Sequence, residues 1–386
     1  MMASRRNLRS TCVAAHSAMP TREFNPQRLA LARRRCGLTK RDLAEALRVD
    51  QRTVLRYEAG DPLPPNDAIP KIASILGYPE TFFFEPDIDE PDEDSASFRG
   101  FKTMPARERH AALAAGAYAF LLGDWVENLF ELPTVELYDL SEETPEGAAI
   151  TLRQMWSLGE RPIRNMVQLL EAKGVRVFTL AEDTNSVNAF SLWRRDKPYV
   201  FLNTMHSAEQ SRFDAAHELG HLVLHRHGAP RGREAEFEAN KFASAFLMPE
   251  ADVLATLPRV YSLGDIMRHK SRWRVSVAAL NYRLHQIGIT TDWQYKMLCI
   301  DLAKRGYRTD EPMGIERETS VVWQKVFGGL RQERVTKHDI AASLHLPVKE
   351  IEKLVIGTAT MVSVDGGMSG EAQKGGKRAN LTLVSK

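Results

Sequence analysis

The stretch Arg212-Phe213-Asp214-Ala215-Ala216-His217-Glu218-Leu219-Gly220-His221-Leu222-Val223-Leu224-His225 decides how the rest of the chain is read. Ser207, with Gln210 three residues later, has the form of a capping box, and the pattern predicts a helix from about Ala208 to His227, ended by Gly228. Two histidines at i and i+4 project from one helical face about one turn apart and can grip a single metal ion. Zinc suits imidazole ligands and tolerates an open fourth position. It lowers the pKa of a bound water to about 7, so a carboxylate suffices as the base. His217 and His221 are therefore read as ligands and Glu218, which projects beside the metal, as the base. The bland alternative is a pair of solvated histidines on an ordinary helix.

A third ligand has two candidate sources. A metzincin pattern would use His227, but it needs a glycine after the second histidine to turn the chain, and Leu224 stands there. An unbroken helix carries His227 away and leaves His225 a further turn along, where charge at a helix C-terminus is its expected role. The other source is a second helix, expected from about Arg233 to Met248 and stopped at Pro249. Glu236 and Asn240 are i and i+4 on it and share a face, so Glu236 can ligate zinc while Asn240 hydrogen-bonds a ligand histidine. Glu238 is expected about 200° round the same helix, on the opposite face.

Upstream, Val175–Leu180, Ala189–Trp193 and Tyr199–Asn203 read as strands, being β-branched or aromatic and separated by turn residues. Helical patterns precede them at 98–130 and, in two pieces broken at Pro162, at 150–174. The region after 260 is mostly helical, including a Ser276-capped helix that ends at Gly288.

The run 212–225, with Glu236-Phe237-Glu238-Ala239-Asn240-Lys241-Phe242-Ala243 and Leu247-Met248-Pro249, resembles the ImmA/IrrE family of metallopeptidases over about residues 153–308. The resemblance implies a zincin-like α+β domain with the third ligand four residues before the asparagine, which here is Glu236. It also implies cleavage, or triggering of cleavage, of DNA-binding repressors. The spacing itself shows only a hydrolase-competent metal site.

Nearer the N-terminus, Thr39-Lys40-Arg41-Asp42-Leu43-Ala44-Glu45-Ala46-Leu47 reads as a short helix capped by Thr39. Arg48-Val49-Asp50 is a turn, and Gln51–Glu58 is a second helix capped by Asp50. Ala44 is small where two helices would touch, and Val49 and Val54 are expected to pack between them. This is the requirement of a helix-turn-helix. It resembles the Cro and phage-repressor (XRE) type, including Tyr57-Glu58-Ala59-Gly60, with Lys40 where that type often has glutamine. Gln51, Arg52 and Arg56 are the candidate groove-facing residues and Lys40 a candidate phosphate contact. Residues 1–80 hold fourteen basic against eight acidic side chains, although the whole chain is nearly balanced at +2. A polyanion-binding surface is therefore local, and its expected partner is a double-stranded DNA operator. Thr336–Leu346 repeats the pattern of Thr39–Val49. Its shared residues are those that pack such a motif, so the echo is read as structural, with a degenerate helix-turn-helix as the alternative.

The chain of 386 residues, 43% hydrophobic and 26% charged, is long enough for two or three domains and excludes collagen and wholesale disorder. Its longest charge-free apolar stretch, between Arg109 and Asp124, is too short to span a bilayer. Three widely spaced cysteines make no disulfide framework, and a reducing cytoplasm is expected. The expected fold is mainly α with a small β-sheet. Its parts are a basic tail at 1–24 (with Met19 an alternative start to Met1), a helix-turn-helix bundle at 25–84, an acidic linker at 85–97, a zincin-like metallopeptidase domain at 98–260, a helical C-terminal region at 261–362 and a tail at 363–386. The expected function is a DNA-binding regulator, acting as a homodimer, whose Zn2+ endopeptidase domain cleaves a repressor-like or antitoxin-like protein. The alternative is a regulator whose metal domain senses without cutting.

Overall fold

The computed structural model describes residues 23–91, 97–98, 105–180, 189–226, 232–307 and 309–355. His227, most of the basic tail and the C-terminal tail lie outside the described residues. The chain is mainly helical with one small sheet.

Helix α1 (Pro26–Arg35) starts where the Asn25 side chain accepts from two backbone N–H groups and Pro26 fills a position whose N–H would have no partner anyway. Helix α2 (Lys40–Leu47) is capped by Thr39, with Asp42 returning the bond. Arg48 turns the chain in the left-handed region at φ 59°, and Asp50 caps α3 (Gln51–Ala59). Val54 is fully buried, but Val49 is 38% exposed. Val49 does not pack between the helices as expected, because it follows the left-handed Arg48 and only its N–H, bonded to Ala44 O, closes the turn. Helix α4 (Ile69–Leu76) and a 3-10 turn at Glu80–Phe84 complete the unit.

Strand β1 (Ser97–Phe98) precedes α5 (Ala106–Glu127), α6 (Pro145–Met155) and α7 (Met166–Ala172). Helix α6 begins earlier than the sequence suggested because Thr144 caps it and Pro145 takes its first turn. Then come β2 (Arg176–Thr179), β3 (Ala189–Arg194), β4 (Lys197–Leu202), α8 (Ala208–Leu224), α9 (Arg233–Leu247), α10 (Glu250–Thr256), α11 (Leu263–Trp273), α12 (Val277–Gln286) and α13 (Asp292–Lys304). Helices α14 (Val321–Gln332), α15 (Lys337–Ser343) and α16 (Val348–Val355) follow.

The sheet order is β1-β3-β4-β2, with β2 parallel to β4 and the other pairs antiparallel. Alternation along the strands sends side chains into two cores. Val177, Ala189, Val200 and Leu202 join the core built by α6–α12. Phe178, Phe190, Tyr199 and Phe201 join the other, built by α5, the helix-turn-helix and α14–α16. Helix α5 is buried on every side from Ala111 to Phe120, which is why its apolar residues show no stripe.

Packing does not follow the boundaries drawn at 84, 98 and 260. Helix α5, assigned from sequence to the peptidase domain, shares a core with the helix-turn-helix. The 261–362 region is split, with α11 and α12 in one core and α14–α16 in the other. The expected acidic linker is not free over its described part: Pro91 seats against Gly116 of α5, and Asp89 and Glu90 form ion pairs with Arg194 and Arg34. The C-terminal echo packs into the same core as the helix-turn-helix. Ile351, Leu354 and Val355 of α16 are buried, and Glu350 pairs with Arg35 at 2.7 Å inside the protein.

Candidate functional site

Helix α8 is capped as expected by Ser207, whose hydroxyl accepts from Gln210 N at 3.1 Å. The Gln210 amide turns to Asp214 instead of closing the box. Gly220 lets α9 lie close against α8: a Cβ there would sit 3.0 Å from the Phe242 ring and 3.3 Å from Ala239 Cα. That approach brings Glu236 and Asn240 to the histidine face. His217 Nε2 and His221 Nε2 lie 3.0 Å apart, and the Glu236 carboxylate is 3.4 Å from one and 3.5 Å from the other. One ligand atom from each of the three falls within 4.8 Å of the others.

The surrounding hydrogen bonds select the tautomers. Asn240 Oδ1 accepts from His217 Nδ1 at 3.2 Å. Glu238 Oε2 accepts from His225 Nε2 at 3.0 Å, so His225 Nδ1 is left to accept from His221 Nδ1 at 2.9 Å. Both metal-side Nε2 atoms then keep their lone pairs. Burial lowers the pKa of His225, against the raising effect of its bond to Glu238. Two lone-pair nitrogens and one carboxylate are a donor set that fits zinc.

Two sequence expectations change here. Glu238 is not on a remote face and His225 is not a mere terminal charge. Helix α8 ends at Leu224, and His225, at φ −121° rather than in helical geometry, reaches both His221 and Glu238. The i, i+4 spacing of His221 and His225 was the signal that could have found this contact.

Glu218 is buried, and its Oε2 accepts from Ser191 Oγ at 2.7 Å. Ser191 is on β3, and no local sequence signal connects it to a residue on α8; only the packing of helix on sheet does. A cleft of about 870 Å³ opens beside Asn240, lined among others by Gln210, Phe213, Phe237, Tyr282 and Tyr307.

Gln51, Arg52 and Arg56 are exposed on α3, along with Leu55, an apolar side chain that the sequence reading did not single out and that can meet a thymine methyl. Arg56 Nε also donates to Asp61 O at 3.0 Å. Lys40 lies 3.4 Å from the buried Glu58 carboxylate, which also holds Arg33. It is therefore a partly engaged cation beside the groove-facing helix.

Residues 170–285 match the model of peptidase family M78, described as the IrrE N-terminal-like domain, and residues 27–81 match one described as a helix-turn-helix domain. No curated protein matches the chain. The chain thus carries an N-terminal helix-turn-helix followed by an IrrE-type, peptidase-like domain. Among the described residues no helix is long and apolar enough to cross a membrane.

Proposed function

We propose that the chain is a DNA-binding transcriptional regulator whose second domain is a zinc-dependent endopeptidase acting on a cognate repressor-like or antitoxin-like protein. The observation that carries this reading is the convergence of His217, His221 and Glu236 with Glu218 adjacent and oriented by Ser191. Zinc, when bound, supplies an acidified water and a positive charge for the scissile carbonyl. Glu218 takes the proton from the attacking water and delivers it to the leaving amine. The Ser191 hydroxyl holds one carboxylate oxygen of Glu218. Asn240 and the His225–Glu238 pair keep the ligand rings oriented. The helix-turn-helix brings the chain to operator DNA through Arg52 and Gln51, and a homodimer would present two such helices to paired half-sites.

The test is Glu218→Gln in the full chain, expressed beside proteins encoded next to it. Zinc content and operator affinity are expected to stay unchanged, because Glu218 is not a ligand, while cleavage of the partner stops. Arg52→Ala is expected to weaken operator binding by about 1–3 kcal/mol without affecting cleavage. If no fragment depends on Glu218 while Glu218→Gln still regulates its promoter, the domain senses and does not cut.

A further inference from the structure

One cation beside the helix-turn-helix comes from outside it. Arg107 lies on the first turn of α5, beyond the residues 27–81 that match the helix-turn-helix model. Its side chain stands over the turn between α1 and α2: a Cβ at Gly37 would meet Arg107 Nε at 2.9 Å. Gly37 takes this turn at φ 61°, just before Thr39 caps α2. The same guanidinium adds to the lowering of the Asp42 carboxyl in the first turn of α2, after the larger effect of the bonds from Thr39. Packing fixes this placement, since α5 lies against α1 and buried residues of both share one core. Arg107 is exposed and has no hydrogen bond or ion pair with another described residue. The arginines of α1 differ: Arg28 donates to Pro86 O, and Arg33, Arg34 and Arg35 pair with Glu58, Glu90 and Glu350.

In a helix-turn-helix on DNA the second helix enters the major groove and the first crosses the phosphate backbone. Here the second is α3, with Gln51, Arg52 and Arg56 exposed, and the first is α2, with Lys40 at its first position. A cation at the approach to α2 therefore stands beside the DNA strand that α2 crosses. A guanidinium suits that place, because its planar fork matches a phosphate and it stays charged at any working pH. We propose that Arg107 is a DNA-backbone contact, which extends the DNA-binding surface from the helix-turn-helix onto α5. The proposal rests on the DNA-binding reading of the helix-turn-helix and adds a residue from outside that motif. Such a contact reads no base, so it contributes affinity and orientation rather than sequence preference. Helix α5 also backs the sheet: a Cβ at Gly123, near its other end, would lie 3.2 Å from the Tyr199 hydroxyl of β4. The DNA contact at its first turn and the sheet contact at its last thus belong to one continuous helix.

The experiment uses the full chain and a fluorescein-labelled duplex of mixed sequence, about 30 base pairs long so that two half-sites fit. Affinity is read by anisotropy between about 50 and 200 mM salt. Arg107→Gln keeps the length of the side chain and removes its charge. It is expected to bind more weakly at low salt and to lower the slope of log affinity against log salt by about 0.9, so that its deficit shrinks about 3.5-fold across that range. Arg107→Lys is expected to keep the slope, and Arg107→Glu to bind more weakly than Arg107→Gln. Lys296→Ala removes one charge from an exposed position on α13 and is expected to leave the slope unchanged. Lys40→Ala reports on the helix-turn-helix itself. An unchanged slope in Arg107→Gln beside a reduced slope in Lys40→Ala overturns the proposal and leaves the helix-turn-helix reading standing. An equal fall in Arg107→Gln and Lys296→Ala also overturns it, since net charge alone then accounts for the loss. A parent chain that fails to bind the duplex at the lowest salt overturns both readings together. Thermal unfolding of each variant, expected at the parent's midpoint, separates a lost contact from a damaged fold.

Discussion

At the scale of single residues, the site is organised by what stands behind the ligands. His225 and Glu238 touch no metal position, yet they decide which nitrogen of His221 carries the proton. Removing such partners typically costs 10–100-fold in metal affinity, whereas removing a ligand destroys the site. His217→Ala and Glu236→Ala are therefore expected to abolish stoichiometric zinc. His225→Ala and Glu238→Ala are expected to retain zinc but lose it about 10–100-fold more readily to a competing chelator. Chelator titration of the purified proteins checks this, and undiminished affinity in both outer variants would show that His221 needs no such support. Ser191 acts one step further out, by aiming Glu218.

At the scale of elements, two buried carboxylates tie helix starts across the chain. Glu318 accepts from Met166 N and Val167 N at the start of α7, and Glu171 accepts from Ser320, Val321 N and Val322 N at the start of α14. Burial pushes the Glu171 carboxyl up to about 7, against the lowering effect of those donors. In the unfolded chain the same group titrates near 4.5, so between these values the folded state holds a proton that the unfolded state has released. Stability from this group is then greatest at low pH and is lost as pH rises from about 4.5 to about 7, by up to about 3 kcal/mol. Denaturant unfolding at pH 5 and pH 7.5 is expected to show that loss in the parent chain, and Glu171→Gln to flatten it. A slope unchanged by Glu171→Gln would place the titration elsewhere.

At the scale of the whole molecule, the helix-turn-helix is not a separate bead. Its core continues through α5 to the back of the sheet whose other face carries α8, and α16 closes the junction. Arg35 of α1 and Glu350 of α16 are both almost fully buried and pair at 2.7 Å across 315 residues of chain. Glu350→Ala leaves a buried guanidinium without that partner and is expected to cost about 3–5 kcal/mol. Arg35→Met with Glu350→Met removes both charges and is expected to be far milder. Denaturant titration of Arg35→Met, Glu350→Met and the double variant gives the coupling directly. If the single substitution is as mild as the double, the pair does not hold the junction.

The sequence by itself determined what depends on short spacing. The i, i+4 histidines, Glu218 between them, Glu236 with Asn240 a turn later, and the Thr39 and Asp50 caps are all local periodicities, legible because a helix repeats every few residues. The strands were legible from their β-branched and aromatic content between turn residues, and the structure places them within a residue or two. Tertiary structure decided everything that joins distant segments. Ser191 reaches Glu218 only because β3 packs on α8, and Glu238 reaches His225 only where α8 ends. Helix α5 enters the helix-turn-helix core, and the C-terminal echo of that motif turns its apolar face inward. Read from sequence, α5 belonged with the peptidase domain and the echo with a separate C-terminal region, because no local pattern encodes which apolar face meets which. That choice is made by burial across the sheet, where two cores back to back cover more apolar surface than either segment could alone.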